Sequence, residues 1–172
     1  MLSVVERKDM ESYINHSMNI GAFPQFVQEN QRPFDVLYRG IMCHPSKLVM
    51  GASLEHWEPL LSCSTSLAVS EEFAVLGVIP EDVVEDLARQ KGFKDTGDTA
   101  DNELYNQAYD EFVPIVLEIQ NAQGLRILDY IHEYEYAKEL EVVVKATPLT
   151  ILKVKDSETE LGVKYLLVTV TV

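Results

Sequence analysis

Apolar residues recur three and four apart near the start of the chain, at Met10, Tyr13, Ile14 and Met18, and predict a helix over 6–19. Gly21 ends it, and Pro24 opens a second short helix or turn. A polar link over 28–33 leads to a β-like run at 36–41, and a second such run lies at 60–66. A short helix is expected at 70–74. Pro80-Glu81-Asp82, with proline and acids in the first turn, starts another that Gly92 stops. Residues 94–102 are polar and turn-rich, which predicts a mobile surface loop. From Val113 the pattern turns to β, with strands expected over 113–119, 125–130, 140–145, 150–154 and 165–172. Helices lead and strands dominate later, so the expected fold class is α+β with mainly antiparallel sheets.

Composition narrows this only a little. The 172 residues fit one domain with a real core. No apolar run approaches the ~20 residues of a membrane span, and the start lacks the basic-then-apolar pattern of a secretory signal. A cytoplasmic protein with no membrane partner is therefore expected. Acidic residues outnumber basic ones 28 to 14, for a formal net charge of −14. Such a field repels nucleic acid and favours basic partners, although the same charge also serves solubility alone. Cys43 and Cys63 sit in or beside predicted strands, as reduced thiols of a cytosolic protein would. There is no glycine-rich phosphate loop.

Three polar insertions interrupt the apolar runs. Arg39 alternates with Leu37 and Ile41, which puts all three on one face of a strand, with Tyr38 and Gly40 on the other. Its planar fork of donors suits a carboxylate or a diphosphate, and a buried ion pair would account for it equally. Gly40 lets a ligand approach the backbone closely. Ser64-Thr65-Ser66 follows Leu60-Leu61. Glu139 and Glu141, two apart at the start of a strand, would repel each other unless one binds a cation or shares a proton; a solvated strand end is the plain alternative.

Their order and flanks carry more than any one of them. Leu37-Tyr38-Arg39-Gly40, then Ser62-Cys63-Ser64-Thr65-Ser66 with Glu72-Phe73-Ala74 behind it, then Glu139-Leu140-Glu141-Val142-Val143 resembles the R-S-E class of mono-ADP-ribosyltransferases. The likeness spans 37–154 and is similar to the short phage transferases of the Alt and Mod kind. It implies a single ADP-ribosyltransferase domain over 1–172, with an N-terminal helical part at 1–34 and an acidic insertion at 77–110. The implied fold is two packed antiparallel sheets about an NAD cleft.

The resemblance also implies roles. Arg39 would hold the NAD diphosphate or brace the cleft, and the Gly40 backbone would bind the nicotinamide amide. Ser64 would orient the catalytic glutamate, with Thr65 and Ser66 shaping the strand end and Phe73 packing against nicotinamide. Glu141 would act on the nicotinamide ribose, and Glu139 would receive the target side chain. No metal is implied. Chemistry agrees: breaking the nicotinamide–ribose bond builds positive charge on the sugar, which a fixed carboxylate stabilises. An arginine acceptor is protonated at neutral pH, so a second carboxylate must orient it and help take its proton.

The expected activity is transfer of ADP-ribose from NAD to an arginine on a protein, for instance as a phage-encoded modifier of host proteins. An NAD glycohydrolase and a catalytically idle binding module of the same fold are the alternatives. The aromatic and acidic stretch 130–138 would meet a basic target surface, and His132 within it could titrate as a switch. No second arginine comes soon after Phe73 to grip the diphosphate, which leaves Lys47 or Arg126 to substitute. Cys43, His44, His56 and Cys63 lack the paired spacing of a zinc site. A Cys–His nucleophile pair lacks an orienting third residue.

Overall fold

The computed structural model describes every residue of the chain except Trp57. Helix α1 (Val4–Ile14) begins with a reciprocal cap: the Ser3 hydroxyl accepts from Glu6 N–H while the Glu6 carboxylate accepts from Ser3 N–H. It ends before the predicted limit because His16, at φ 55°, turns the chain out of the helix. Helix α2 (Phe23–Asn30) has Pro24 in its first turn.

Strand β1 (Arg32–Cys43) is longer than its apolar centre predicts. It pairs antiparallel with β4 (Val113–Arg126) along its length, from Arg32 opposite Gly124 to Cys43 opposite Val113. That ladder also carries β4 through the polar stretch 120–123, where the sequence predicts a break; Ala122 within it is fully buried. The predicted strand end at 127–130 is instead a single 3-10 turn. Strands β2 (Ser53–Leu54), β3 (Leu60–Ser64), β5 (Glu141–Lys145), β6 (Leu149–Glu158) and β7 (Lys164–Thr171) complete the β structure.

The strands form one hydrogen-bonded network in the order β1-β3-β5-β4-β7-β6-β2, with β1 also paired to β4. All pairings are antiparallel except β4–β7, which is parallel. The fold is thus α+β with a mainly antiparallel sheet, as expected. The network folds over on itself into two layers. Leu61 and Cys63 of β3, with Val142 and Val144 of β5, pack onto Leu37, Leu117, Ile119, Ile151, Val168 and Val170 of the larger layer.

Residues of β3 and β5 one position out of phase, Leu60 and Val143, face the N-terminal helices and join Met10, Ile14, Phe23 and Val27 in a second core. On the far side of the larger layer, α3 (Leu67–Val75) covers Val116 and Leu167 through Ala74. Period-2 alternation thereby sends each strand's residues into two different cores.

The interval 77–110 holds α4 (Glu81–Gln90) and α5 (Thr99–Asp110), which share a small core of Ile79, Val84, Ala88 and Ala108 against Met42. Residues 94–102 are not the open loop that their composition predicts. The buried Asp101 carboxylate accepts from Lys94 N–H, Thr96 N–H and the Thr96 hydroxyl, and Asp98 caps α5 by accepting from Asp101 N–H. Those bonds fix the turn. No helix among the described residues is long and apolar enough to cross a membrane.

Candidate active site

The three motif segments lie on neighbouring strands. Ser64 of β3 stands opposite Tyr38 of β1 on one side and opposite Glu141 of β5 on the other. Two strand spacings, about 10 Å, therefore separate the backbone beside Arg39 from that of Glu141. Beyond the Tyr38–Ser64 pair, β1 and β3 have no further register pair, and Arg39 fills the opening. Its Nη1 donates to the Ser62 carbonyl at 2.8 Å, and its Nη2 to Glu58 Oε2 at 2.6 Å. The Arg39 side chain is 15% exposed and Glu58 46%, so the pair sits at the mouth of the opening. Arg39 Nε is buried and has no hydrogen-bond partner among the described residues.

Glu141 is buried, and one of its oxygens is held twice. Oε1 accepts from the Ser62 hydroxyl at 2.6 Å and from the Tyr13 phenol of α1 at 2.8 Å. Tyr13 stays a donor at any ordinary pH, because burial, reinforced by the Glu141 charge, holds its phenol well above the usual range. Two hydroxyls on one oxygen fix the carboxylate plane and leave Oε2 outside both bonds.

The hydroxyl that holds Glu141 is thus Ser62, two residues before the predicted Ser64. Ser64 does different work: its hydroxyl donates to the Glu139 carbonyl at 2.7 Å and accepts from Ser66 N–H at 3.0 Å. It positions the turn before β5 rather than the glutamate itself. Ser66 caps α3 by accepting from Val69 N–H, and Thr65 is exposed between them.

Glu139 does not share a strand face with Glu141. It closes a 3-10 turn (Ala137–Glu139), and Leu140 sits at φ 52°, a left-handed conformation costly for a leucine. The strand starts one residue later than predicted. The two carboxyls still interact: burial and then the Glu141 charge raise the Glu139 carboxyl above its ordinary value.

Gly40 is occupied from its open side. A Cβ there would lie 1.9 Å from the Ser70 carbonyl oxygen and 2.4 Å from Ala74 N. The close approach that this glycine permits is made by helix α3. Phe73, on the same helix, is half exposed at the surface.

Four buried side-chain atoms among the described residues have no hydrogen-bond partner: Arg39 Nε, His56 Nε2, Arg126 Nε and Tyr134 Oη. Geometry brings them near the site: Arg126 pairs with Val142 beside Glu141, His56 is two residues before the Glu58 that holds Arg39, and Tyr134 packs into the core that includes Tyr13. Burial, then the Arg39 charge, lowers the His56 pKa. Tyr134 is pushed up to about 12 by burial, and by Glu141 and Glu139 against Arg126. Sequence reading singled out Arg126 as a substitute for the missing second arginine but not Tyr13, Glu58, Ser62 or Tyr134. Ser62 lies inside the β3 motif segment, where the resemblance implies no role for it; Tyr13, Glu58 and Tyr134 stand outside the three segments, on α1 and in the loops before β3 and β5.

The other predicted clusters disperse. His44 bonds Ser46 Oγ and Glu111 Oε2, at 2.7 and 3.0 Å, and Lys47 stands on the adjacent 3-10 turn. No group of three or more His, Cys, Asp or Glu among the described residues could hold a metal ion. Burial pushes the Cys63 thiol up to about 12, which removes it as a nucleophile at neutral pH.

No protein-family model and no curated protein matches the sequence. Among solved structures, the chain is similar to the ADP-ribosyltransferase Vis in complex with agmatine. Identity is 15% and the TM-score 0.49, over 96% of this chain and 71% of that one. It is also similar to exoenzyme S from Pseudomonas aeruginosa, in complex with human 14-3-3 protein beta and bound to carba-NAD. There identity is 11% and the TM-score 0.45, over 98% and 67% of the two chains.

Proposed function

We propose that this protein transfers ADP-ribose from NAD to an arginine of a target protein and releases nicotinamide. The observation that carries this reading is the set of four buried polar atoms, on Arg39, His56, Arg126 and Tyr134, that have no hydrogen-bond partner among the described residues. Two guanidinium Nε–H groups, a phenol and an imidazole have no hydrogen-bond partner among the described residues. A dinucleotide diphosphate is rich in acceptors and would satisfy them. Arg39 and Arg126 would thus share the diphosphate. Glu58 now pairs with Arg39 and would give way to it.

Glu141 would act at the sugar. As the C–N bond between nicotinamide and ribose breaks, its electrons pass to the pyridinium nitrogen and positive charge grows on the ribose. The fixed carboxylate stabilises that charge more than it stabilises the ground state. The guanidine nitrogen of the target then attacks the anomeric carbon, and Glu139 takes the proton that the new bond releases.

Tyr13 is a positioning residue in this scheme. Tyr13→Phe removes one donor from Glu141 Oε1 and leaves Ser62 in place. The expected result is a roughly tenfold lower kcat for nicotinamide release, about 1.4 kcal/mol of barrier, with KM for NAD changed less than twofold. A change in KM alone would assign Tyr13 to NAD binding instead.

Glu139→Gln tests the acceptor. It should spare NAD hydrolysis and lower transfer to arginine by about 10²-fold or more. The pH dependence has a defined sign. A raised carboxyl is protonated, and so unable to take the guanidinium, up to a higher pH than an ordinary glutamate. In the wild type, transfer should therefore fall on the acid side earlier than hydrolysis does, and in Glu139→Gln that separation should vanish. Incubation with labelled NAD and a cell lysate, followed by mass spectrometry of the labelled protein, tests the reading as a whole. No nicotinamide release and no NAD binding would overturn it.

A further inference from the structure

We propose that the exposed end of α3, centred on Leu76 and Val78 and rimmed by acids, is the docking surface for a basic segment with an apolar face on the protein that supplies the arginine. This rests on the transferase reading given above. Phe73, Leu76 and Val78 are 49%, 78% and 87% exposed, the densest exposed apolar run outside the terminal residues, and Val75 and Val83 extend it. On helix α3, Glu72, Phe73 and Leu76 are three and four residues apart and form one stripe.

The stripe is held rigidly. Ser70 and Ala74 of the opposite face are buried against Gly40, and Glu71 accepts from the Tyr165 phenol at 2.7 Å. The chain then turns tightly at Gly77, where a Cβ would lie 2.7 Å from Met42 Cγ and 3.2 Å from the Phe73 and Ala74 carbonyl oxygens. Leu76 and Val78 flank that turn. Apolar side chains fixed in water by well-packed backbone mark a surface that another molecule covers.

Charge selects the occupant. From Leu67 to Ala88 there are six acidic residues, Glu71, Glu72, Glu81, Asp82, Glu85 and Asp86, and no lysine or arginine; Arg89, the next residue, pairs with Glu85 and leaves the others without a salt bridge among the described residues. A second copy of this chain would bring the same acids and a net charge of −14 against them. An anionic membrane or a nucleic acid would be repelled likewise. A basic segment with an apolar face meets both features at once, as charged rims around apolar centres do at specific interfaces. Helix α3 starts beside the acceptor turn: the Ser64 hydroxyl donates to the Glu139 carbonyl and accepts from the N–H of Ser66, the helix N-cap. A segment docked on the Leu76 end and running along α3 would lead toward Glu139.

The test uses the full chain and the double variant Leu76→Lys/Val78→Lys. Both side chains are exposed, so the fold should be kept, as a melting curve will show. The probe is a synthetic amphipathic peptide with leucine on one helical face and arginine on the other, with polylysine as the charge-only control. Backbone amide shifts should concentrate in 72–83, and the double variant should bind the peptide at least about tenfold more weakly. Polylysine should bind the wild type more weakly than the peptide does. In the enzymatic arm, labelling of lysate proteins should fall about tenfold, with nicotinamide release and transfer to free arginine unchanged.

Peptide shifts elsewhere, equal binding by the double variant, polylysine binding as tightly as the peptide, or undiminished lysate labelling would each overturn the docking surface. If the wild type releases no nicotinamide at all, the transferase reading fails. The peptide shifts would then decide on their own whether this face takes a basic partner.

Discussion

Replacing Glu141 by glutamine should slow nicotinamide release from NAD by about 10²–10³-fold, the loss seen when one charge-stabilising group is taken from a transition state. Glutamine keeps the shape and an oxygen that can accept from Tyr13 and Ser62, so the melting temperature should change little. What disappears is the negative charge. It matters only when the ribose becomes cationic, so kcat should fall while NAD affinity holds. Single-turnover release of nicotinamide, with NAD binding measured separately, distinguishes the two quantities. A loss under about threefold would mean that Glu141 is a structural carboxylate and that the chemistry lies elsewhere, since catalysis of this kind requires several kcal/mol.

Gly40→Ala should be the most damaging small substitution in the chain for stability. The added Cβ meets the Ser70 carbonyl oxygen at 1.9 Å and Ala74 N at 2.4 Å, both backbone atoms of a helix that cannot swing aside as a side chain can. Helix α3 would have to lift from β1. Overpacking of this kind costs about 3 kcal/mol or more, which for a domain of this size lowers Tm by roughly 6–12 °C. Thermal unfolding followed by circular dichroism checks it. An unchanged Tm with weaker NAD binding would return Gly40 to the role of ligand contact that its place after Arg39 predicts.

The two outcomes illustrate different kinds of legibility. Glu141 can be picked out from the sequence because a glutamate ahead of Val142-Val143-Val144 is a costly insertion, and Arg39 stands out between Leu37 and Ile41 for the same reason. Gly40 is equally visible, but its reason is not. A glycine allows close approach, and only packing says whether a ligand or a helix makes it. Ser62 and Ser64 show the same limit more finely. Both alternate onto one face of β3, and the sequence offers no ground for choosing between them. The difference is decided by Leu140, whose left-handed backbone lifts Glu139 off the strand, so that Ser64 meets a carbonyl and Ser62 meets the carboxylate.

Helix α5 was obscured for a related reason. Its first turn reads as turn-formers, Asp98, Thr99 and Asp101, and the bonds that recruit them into a cap are made to Lys94 and Thr96 in three dimensions.

Local pattern alone determined the order and type of most elements, the late run of strands, the acidic surface and the polar insertions worth attention. These follow from side-chain periodicity and the cost of burying charge, which act over a few residues. The tertiary structure decided which partners those insertions have. Tyr13 lies 128 residues from Glu141 and Ser62 lies 79 from it, yet both hydroxyls end on one carboxylate oxygen. Contacts between residues so far apart in the chain are set by how β3 and β5 fold over the larger layer and how α1 caps them. Directional hydrogen bonds resolve to single atoms a choice that hydrophobic pattern leaves open to whole faces.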